Sequence, residues 1–370
     1  MPKRDQKGVS DSRDFEWSDL SRSKKYSVQA QIFWRLTNLA NTDSTLVICT
    51  RNREDHLERL LNQVSQCAAS PELVVIVDSS EEAWTRAKFL ALEHSAPFKL
   101  HYLHAREGLP YQRNVGLAHL KNLKTKSPVV HFLDDDVEIP PNFFSVACDF
   151  LKVNPGAVAV GAYDCNLRPP KPFWLGNLLG LTSPKNKGSL LPSGIALAPH
   201  KILEAAPVTW LPGFGMSVRY AAVQIPGSIW DSSHRMYGED VSASLRLGLL
   251  GQLWVIPEHF LVHKEALSGR EALTARAYFS DGFRMRLTEL APNKVRASKV
   301  MVATLALLIG ECLLAFAQAD SGRFGSVVGH ARFLNDWARR KLRSQLVTHD
   351  FSDLSPNFTY PESSNILDKL

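Results

Sequence analysis

The order of apolar and polar positions divides the chain into regions of different period. From Ser44 onward, short apolar runs alternate with stretches of helical spacing, the pattern of βαβ units around a mostly parallel sheet. Leu46-Val47-Ile48-Cys49 and Leu73 to Val77 read as buried strands, being short and apolar, and Leu100 to Leu103 and Val129 to Leu133 as a third and a fourth strand. Leu57, Leu60, Leu61 and Val64 recur at i, i+3, i+4 and i+7, which predicts an amphipathic helix, and Val115, Leu117 and Leu120 predict another. Pro140-Pro141 suits a helix start, and Val158 to Gly161 a further strand.

Outside this core the pattern weakens. Residues 1 to 43 show no period, carry only the short apolar patch Ile32-Phe33-Trp34, and read as a loosely ordered leader. A Pro-, Gly- and Lys-rich stretch from about Arg168 to Pro199 is too irregular for an ordinary connection and reads as a mobile loop of functional length. Val300 to Phe316 is the most hydrophobic stretch, but Glu311 interrupts it and a bilayer span needs about twenty apolar residues, so a buried or interfacial helix is expected. Beyond it, Arg323, Arg332, Arg339, Arg340, Lys341 and Arg343 interleave with Phe333, Leu334 and Trp337. That composition suits either docking on anionic lipid or an ordinary helix packed on the rest of the protein. The domain reading is therefore a leader over 1–43, a catalytic α/β domain over 44–266, a helical region over 267–347 and a flexible tail over 348–370.

Composition narrows the class without deciding it. Over 370 residues, 45% are hydrophobic and 22% charged, which excludes wholesale disorder. The 43 Lys and Arg against 37 Asp and Glu give +6, too mild to argue for nucleic acid and compatible with an anionic ligand or membrane surface. Cys49, Cys67, Cys148, Cys165 and Cys312 are odd in number and lack a CxxC pair, so they read as buried thiols in a reducing compartment. With no apolar leader run at the amino terminus, a cytoplasmic location follows as an expectation.

Chemistry concentrates where strands end. In open α/β sheets ligands sit beyond the carboxyl ends of the strands, so Thr50 to Arg53, Asp78 and Asp134-Asp135-Asp136 should meet in one crevice. Three successive carboxylates repel one another unless a cation sits among them, and a divalent ion held by oxygen ligands answers that need. Pleating would put Asp134 and Asp136 on one side. Glu239-Asp240 opens a helix whose core face is Val241, Leu245 and Leu249. A carboxylate in a first helical turn is kept ionised by free N–H groups, which serves either a cap or a general base.

TLVICTRNRE, ELVVIVDSS, GLPYQRNVGL, VVHFLDDDVEIPPNFF, LPGFGMSVRY and GEDVSASLRLGLLG occur in the order found in family 2 glycosyltransferases, and from Ser44 to Lys264 the chain resembles that family. The resemblance implies a GT-A fold, a Rossmann-like mostly parallel α/β sheet flanked by helices, here with a helical C-terminal appendage. It implies an inverting, metal-dependent transfer of sugar from a nucleoside-diphosphate sugar to a hydroxyl acceptor, a glycan or lipid-linked sugar, with Mg²⁺ or Mn²⁺ as cofactor. By resemblance, Thr50, Arg51 and Arg53 hold base and diphosphate, Asp78 meets base or ribose, and Arg113 and Asn114 lie near the diphosphate. Asp134 faces the ribose or metal, Asp136 ligates the metal, and His263 in FLVHK is a further ligand. Gly213 and Gly215 let the donor sugar approach the backbone, Asp240 deprotonates the acceptor and Glu239 orients it. Trp210 could equally stack on a sugar or fill the core. The family's habits suggest assembly of surface polysaccharide or glycolipid, while peripheral contact with the inner face of the cell membrane is an expectation from the composition of the C-terminal region alone. The alternatives weighed are a nucleotidyltransferase of related fold and a catalytically idle scaffold at a membrane surface.

Overall fold

Leu46 and Ile48 pack to one side of the first strand and Val47 and Cys49 to the other, and all four are buried, as a strand covered on both faces requires. The computed structural model describes residues 42–83, 92–94, 96–168, 174–183, 187–224, 229–231, 238–264, 272–318 and 320–344. The chain divides into units Met1–Ala40 and Asn41–Leu370, and everything described belongs to the second. The expected leader up to residue 41, its Ile32-Phe33-Trp34 patch and the tail from 348 lie outside the described residues.

In chain order the elements are β1 (Thr42–Thr50), α1 (Glu54–Ser65), β2 (Pro71–Asp78), β3 (Lys99–His104), α2 (Leu109–Asn122), β4 (Val129–Asp134), β5 (Val137–Glu138), α3 (Phe143–Val153) and β6 (Ala157–Asp164). There follow α4 (Trp174–Leu178), β7 (Ser189–Leu190), β8 (Ala196–Leu197), β9 (Ala206–Val208), β10 (Gly215–Arg219), α5 (Tyr220–Val223), α6 (Glu239–Leu247) and β11 (Gln252–His263). Three long helices close the described chain: α7 (Leu273–Leu290), α8 (Ala297–Gln318) and α9 (Ser321–Ser344).

The sheet runs β3-β2-β1-β4-β10-β6-β11-β5, with β9 on the flank of β11. Strands β3, β2, β1 and β4 are mutually parallel, and β10 inserts antiparallel between β4 and β6. Register brings Thr50 opposite Asp78 and Cys49 opposite Asp134, so the carboxyl ends of β1, β2 and β4 finish at one level. This is the expected Rossmann-like sheet flanked by helices. One face is filled by Leu46, Ile48, Val74 and Ile76 with Leu57, Leu60, Phe143 and Phe144 from α1 and α3. The other holds Val47, Val75, Val77 and Phe132 with Leu117 and Leu120 of α2 and Trp230.

A third cluster joins Trp210 and Val241 to Phe283, Leu287, Val295 and Val300, so the C-terminal helices pack directly against the segment that opens α6. Among themselves they are tied by a buried polar knot. The Arg284 guanidinium donates to Asp281 and, at 3.0 Å, to Thr304, while His330 Nδ1 lies 2.6 Å from Asp281.

Several expectations need revision. The helix after Pro140-Pro141 starts only at Phe143, with Asn142 at its cap. Leu249 is exposed beyond the end of α6, and Leu247 takes the core position. Cys49 and Cys67 are buried free thiols, but Cys148, Cys165 and Cys312 are partly exposed. In the irregular stretch from 168, the described parts are folded and anchored: β7 pairs with β8, Ser193 Oγ donates to the carbonyl of Gly180, and the Thr209 N–H reaches the Gly188 carbonyl at 2.7 Å.

Candidate active site

The loop after β1 is set by a left-handed residue. Asn52 has φ +52°, a conformation asparagine tolerates better than most residues. It is held by its N–H donating to Ser80 Oγ at 2.7 Å and by its side-chain oxygen accepting the Glu81 N–H at 3.3 Å. The chain thus turns Arg53 back toward the aspartates, with Nη1 at 3.0 Å from Asp135 and 3.3 Å from Asp136. Gln112 fixes the strand ends behind this loop by donating to the carbonyls of Thr50 (3.0 Å) and Val77 (2.8 Å). Arg51 points out to solvent, paired with Glu107.

Asp134 is the last residue of β4, and Asp135 and Asp136 form the turn into β5. Because β5 pairs with β11, Val137 stands opposite His263. A turn and a strand pairing, rather than the pleat, therefore gather Asp134, Asp136 and His263, whose ligand atoms all lie within 4.8 Å of one another. His263 Nε2 is 3.2 Å from Asp136 Oδ1. Two carboxylates and one imidazole suit a divalent ion of the Mn²⁺ or Mg²⁺ kind better than a soft metal, so the donor set fits the expected cofactor. Asp135 points the other way, accepting from Thr50 Oγ1 at 2.6 Å. Burial pushes its carboxyl up to about 6, against the pull of Thr50 and Arg53.

Arg113 is the centre of the site's wall. Only 2% of its side chain is exposed, and the guanidinium donates to Asp134 Oδ1 at 2.9 Å and to the Gly213 carbonyl at 3.0 Å. Its other nitrogen lies 3.7 Å from Glu239, and the plane sits 4.3 Å from the centre of the Trp230 ring. A guanidinium so engaged braces two carboxylates across the crevice and is not presented to a diphosphate as expected. A Cβ on Gly213 would stand 2.8 Å from this guanidinium, so the glycine makes room for Arg113 rather than for a sugar. Likewise a Cβ on Gly215 would strike Leu261 at 2.7 Å and Ala162 at 2.9 Å, a core constraint. Asn114 donates to the Trp230 carbonyl at 2.8 Å and so fixes that ring's segment to α2.

Gly238 precedes α6 with φ +81°, and a Cβ there would meet the Phe283 ring at 2.2 Å. Only glycine combines that backbone with that contact. The turn it makes leaves Glu239 buried toward Arg113 and Asp240 partly exposed toward the crevice. Asp240 accepts the N–H of Val241 at 2.8 Å and of Gly213 at 3.4 Å. Burial, then the charge of Asp240, pushes the Glu239 carboxyl up to about 8, with Arg113 opposing. Burial also raises Asp240, offset by these backbone bonds and by Arg113. The pair thus favours holding a proton near neutrality, as two carboxylates in one low-dielectric pocket do.

Asp78 departs from expectation. It is fully buried and already receives the Ser80 N–H and hydroxyl and, at 2.6 Å, the Tyr102 hydroxyl. It anchors the rim between β2 and β3, leaving Ser80 and His104, linked at 2.8 Å, as the polar groups outside it. Trp210 belongs to the core, its ring N–H donating to the Leu197 carbonyl at 3.2 Å. The residues that sequence reasoning missed are Gln112, Trp230 and Phe283. Gln112 and Arg113 are buried in α2 among Pro110, Gly116, Leu117 and Leu120, and no periodicity in the sequence set them apart.

Residues 45–201 match the sequence family described as Glycosyl transferase family 2. No curated protein sequence matches the chain at a significant level. Among solved structures, the mannosyltransferase PcManGT from Pyrobaculum calidifontis in complex with GDP-Man and Mn²⁺ is 16% identical, with 86% of this chain and 94% of that chain covered and a TM-score of 0.48. TarS from S. aureus is 17% identical, covering 72% and 43%, with a TM-score of 0.43. Glucosyl-3-phosphoglycerate synthase from Mycobacterium tuberculosis in complex with phosphoglyceric acid is 16% identical, covering 68% and 80%, with a TM-score of 0.42.

Proposed function

We propose that this chain, whose residues 45–201 match Glycosyl transferase family 2, moves a sugar from a nucleoside-diphosphate sugar to a hydroxyl acceptor with inversion and with a divalent metal. The observation that carries this reading is the pairing of two groups across one crevice. Asp134, Asp136 and His263 lie within 4.8 Å of one another, and Arg113 links Asp134 to the buried Glu239 beside Asp240.

Asp134, Asp136 and His263 would hold the metal, whose charge would offset that developing on the departing diphosphate. Arg53, between Asp135 and Asp136, keeps the carboxylates from repelling one another before donor arrives. Asp240, the less buried member of the pair, takes the proton of the acceptor hydroxyl. The freed oxygen lone pair forms the new bond at the anomeric carbon from the face opposite the diphosphate, and the bond to the diphosphate oxygen breaks. Glu239, held by Arg113, keeps Asp240 oriented and retains the pair's proton when Asp240 is ionised. A role in surface polysaccharide or glycolipid assembly is consistent with a hydroxyl acceptor and is proposed on that ground alone.

The test is a panel of nucleotide-sugar donors with Mg²⁺ or Mn²⁺, scored for nucleoside diphosphate release and for the configuration of the product. Release of pyrophosphate would point to a nucleotidyltransferase, and a retained configuration would remove Asp240 as the base. Inertness to every donor and metal would favour the idle scaffold.

A further inference from the structure

Helix α8 presents a row of large apolar side chains to the outside. Val302, Leu305, Ile309, Leu313 and Phe316 recur at intervals of three and four, forming one stripe roughly 21 Å long at 1.5 Å per residue. They are between 45% and 74% exposed. The opposite face, with Val300, Ala303, Thr304 and Ala315, is buried. Phe324 and Val328 of α9 are exposed as well, and the Phe324 ring meets Phe316 at 5.5 Å, widening the stripe at its far end.

The near end is basic. Lys294, Arg296 and Lys299 are exposed around the start of α8. Contacts of Phe316 with Phe324 and of Glu311 with Arg323 fold α9 back along α8, which carries the exposed Arg339 and Arg340 toward the same end. The exposed Asp320 sits at the opposite end, in the turn between the helices. Arg323, which composition alone grouped with the lipid-facing cations, is instead held by Glu311 at 3.0 Å, with Asp320 at 3.7 Å.

We propose that the α8 stripe is a docking surface for an anionic lipid bilayer, lying in its interface with the apolar row in the acyl boundary and Lys294, Arg296, Lys299, Arg339 and Arg340 on the headgroups. Helix α8, at 22 residues, is long and apolar enough to cross. Crossing, however, would drag its packed neighbours into hydrocarbon, among them the Asp281, Arg284 and His330 knot and the Glu311–Arg323 pair, at prohibitive cost. A second copy of the chain is a poorer occupant, because a stable protein interface takes about 20–30 residues a side and this is a single row. A bilayer sets no such minimum and matches the charge at its end.

The inference is independent of the donor chemistry and is tested on the full chain. Sedimentation with vesicles of phosphatidylcholine alone, or of equal parts phosphatidylcholine and phosphatidylglycerol, should show partition to the anionic vesicles only, weakening as salt is raised. Reversing Lys294, Arg296 and Lys299 to Glu together should lower the partition coefficient about a hundredfold. Leu305→Asp, Ile309→Asp and Leu313→Asp together should abolish it. Both variants alter exposed side chains, so diphosphate release from donor in solution should be unchanged. Three results overturn the inference: indifference to phosphatidylglycerol, retention through an alkaline carbonate wash, which marks a crossing helix, or a solution dimer that the triple Asp variant disperses without any vesicle binding.

Discussion

Arg113→Met tests the reading of the site's wall, because methionine keeps the aliphatic volume and removes the charge. The guanidinium gives up a charge-assisted bond to Asp134 at 2.9 Å, one to the Gly213 carbonyl at 3.0 Å, the neighbourhood of Glu239 at 3.7 Å and the Trp230 face at 4.3 Å. Removing one partner of a buried ion pair costs about 3–5 kcal/mol, since the other group stays buried without compensation. At about 2.1 cal/mol/K of unfolding entropy per residue, a unit running from Asn41 to Leu370 shifts by roughly 1.5 °C per kcal/mol, so the melting temperature should fall by about 4–7 °C. The pH dependence should move as well. Arg113 opposes the upward push on Glu239 and Asp240, so its loss raises both further, and the ascending limb of kcat/KM against pH should shift to higher pH. The sign for stability is the same: the fold binds the proton of Glu239 more tightly than the unfolded chain, so stability falls as pH rises from about 4.5 through 8. In the variant that decline should continue to higher pH. Thermal unfolding and diphosphate release across pH 5 to 9 would measure both. A loss under about 1 kcal/mol with an unmoved limb would mean that Arg113 faces the donor and braces nothing.

Other substitutions separate the remaining roles. Asp240→Asn keeps shape and most capping, so the fold should survive while turnover drops by roughly 10²–10⁴; a variant that unfolds yet keeps its specific activity when folded would make Asp240 only a cap. Asp136→Ala should abolish the rise in melting temperature on adding Mn²⁺, which for a site filled at a hundred times its Kd is worth about 2.7 kcal/mol; an unchanged rise would place the metal elsewhere. Gly238→Ala should lose both stability and activity, as its Cβ would stand 2.2 Å from Phe283, and adding Phe283→Ala should recover part of the stability. No recovery would mean that the φ of +81° alone carries the strain.

The sheet was readable because parallel strands buried on both faces are nearly continuous apolar runs, and the crevice was readable because Thr50, Asp78 and Asp134 are strand ends. What the sequence concealed are contacts that cross between elements. Helix α2 buries Gln112 and Arg113 along with Leu117 and Leu120, so its polar and apolar positions do not separate into faces and the role of Arg113 is hidden. Gly213 reads as a place for a ligand, yet the group lying against it comes from a residue a hundred positions earlier. The gathering of Asp136 with His263 depends on the pairing of a two-residue strand with a twelve-residue one, and short strands leave little periodicity to read.

Phe283 against Gly238 has a consequence for how this enzyme can be taken apart. A cut near residue 266 would follow the change from sheet to helices, but it would strip Phe283 from the turn that aims Glu239 and Asp240 and leave Trp210 and Val241 without their cover. Asp231, which both Arg246 of α6 and Arg286 of α7 reach, would lose Arg286 in the same stroke. The C-terminal helices are in this sense the outer half of the candidate site's wall, so a shortened enzyme needs a replacement surface over that turn, not merely a tidier end.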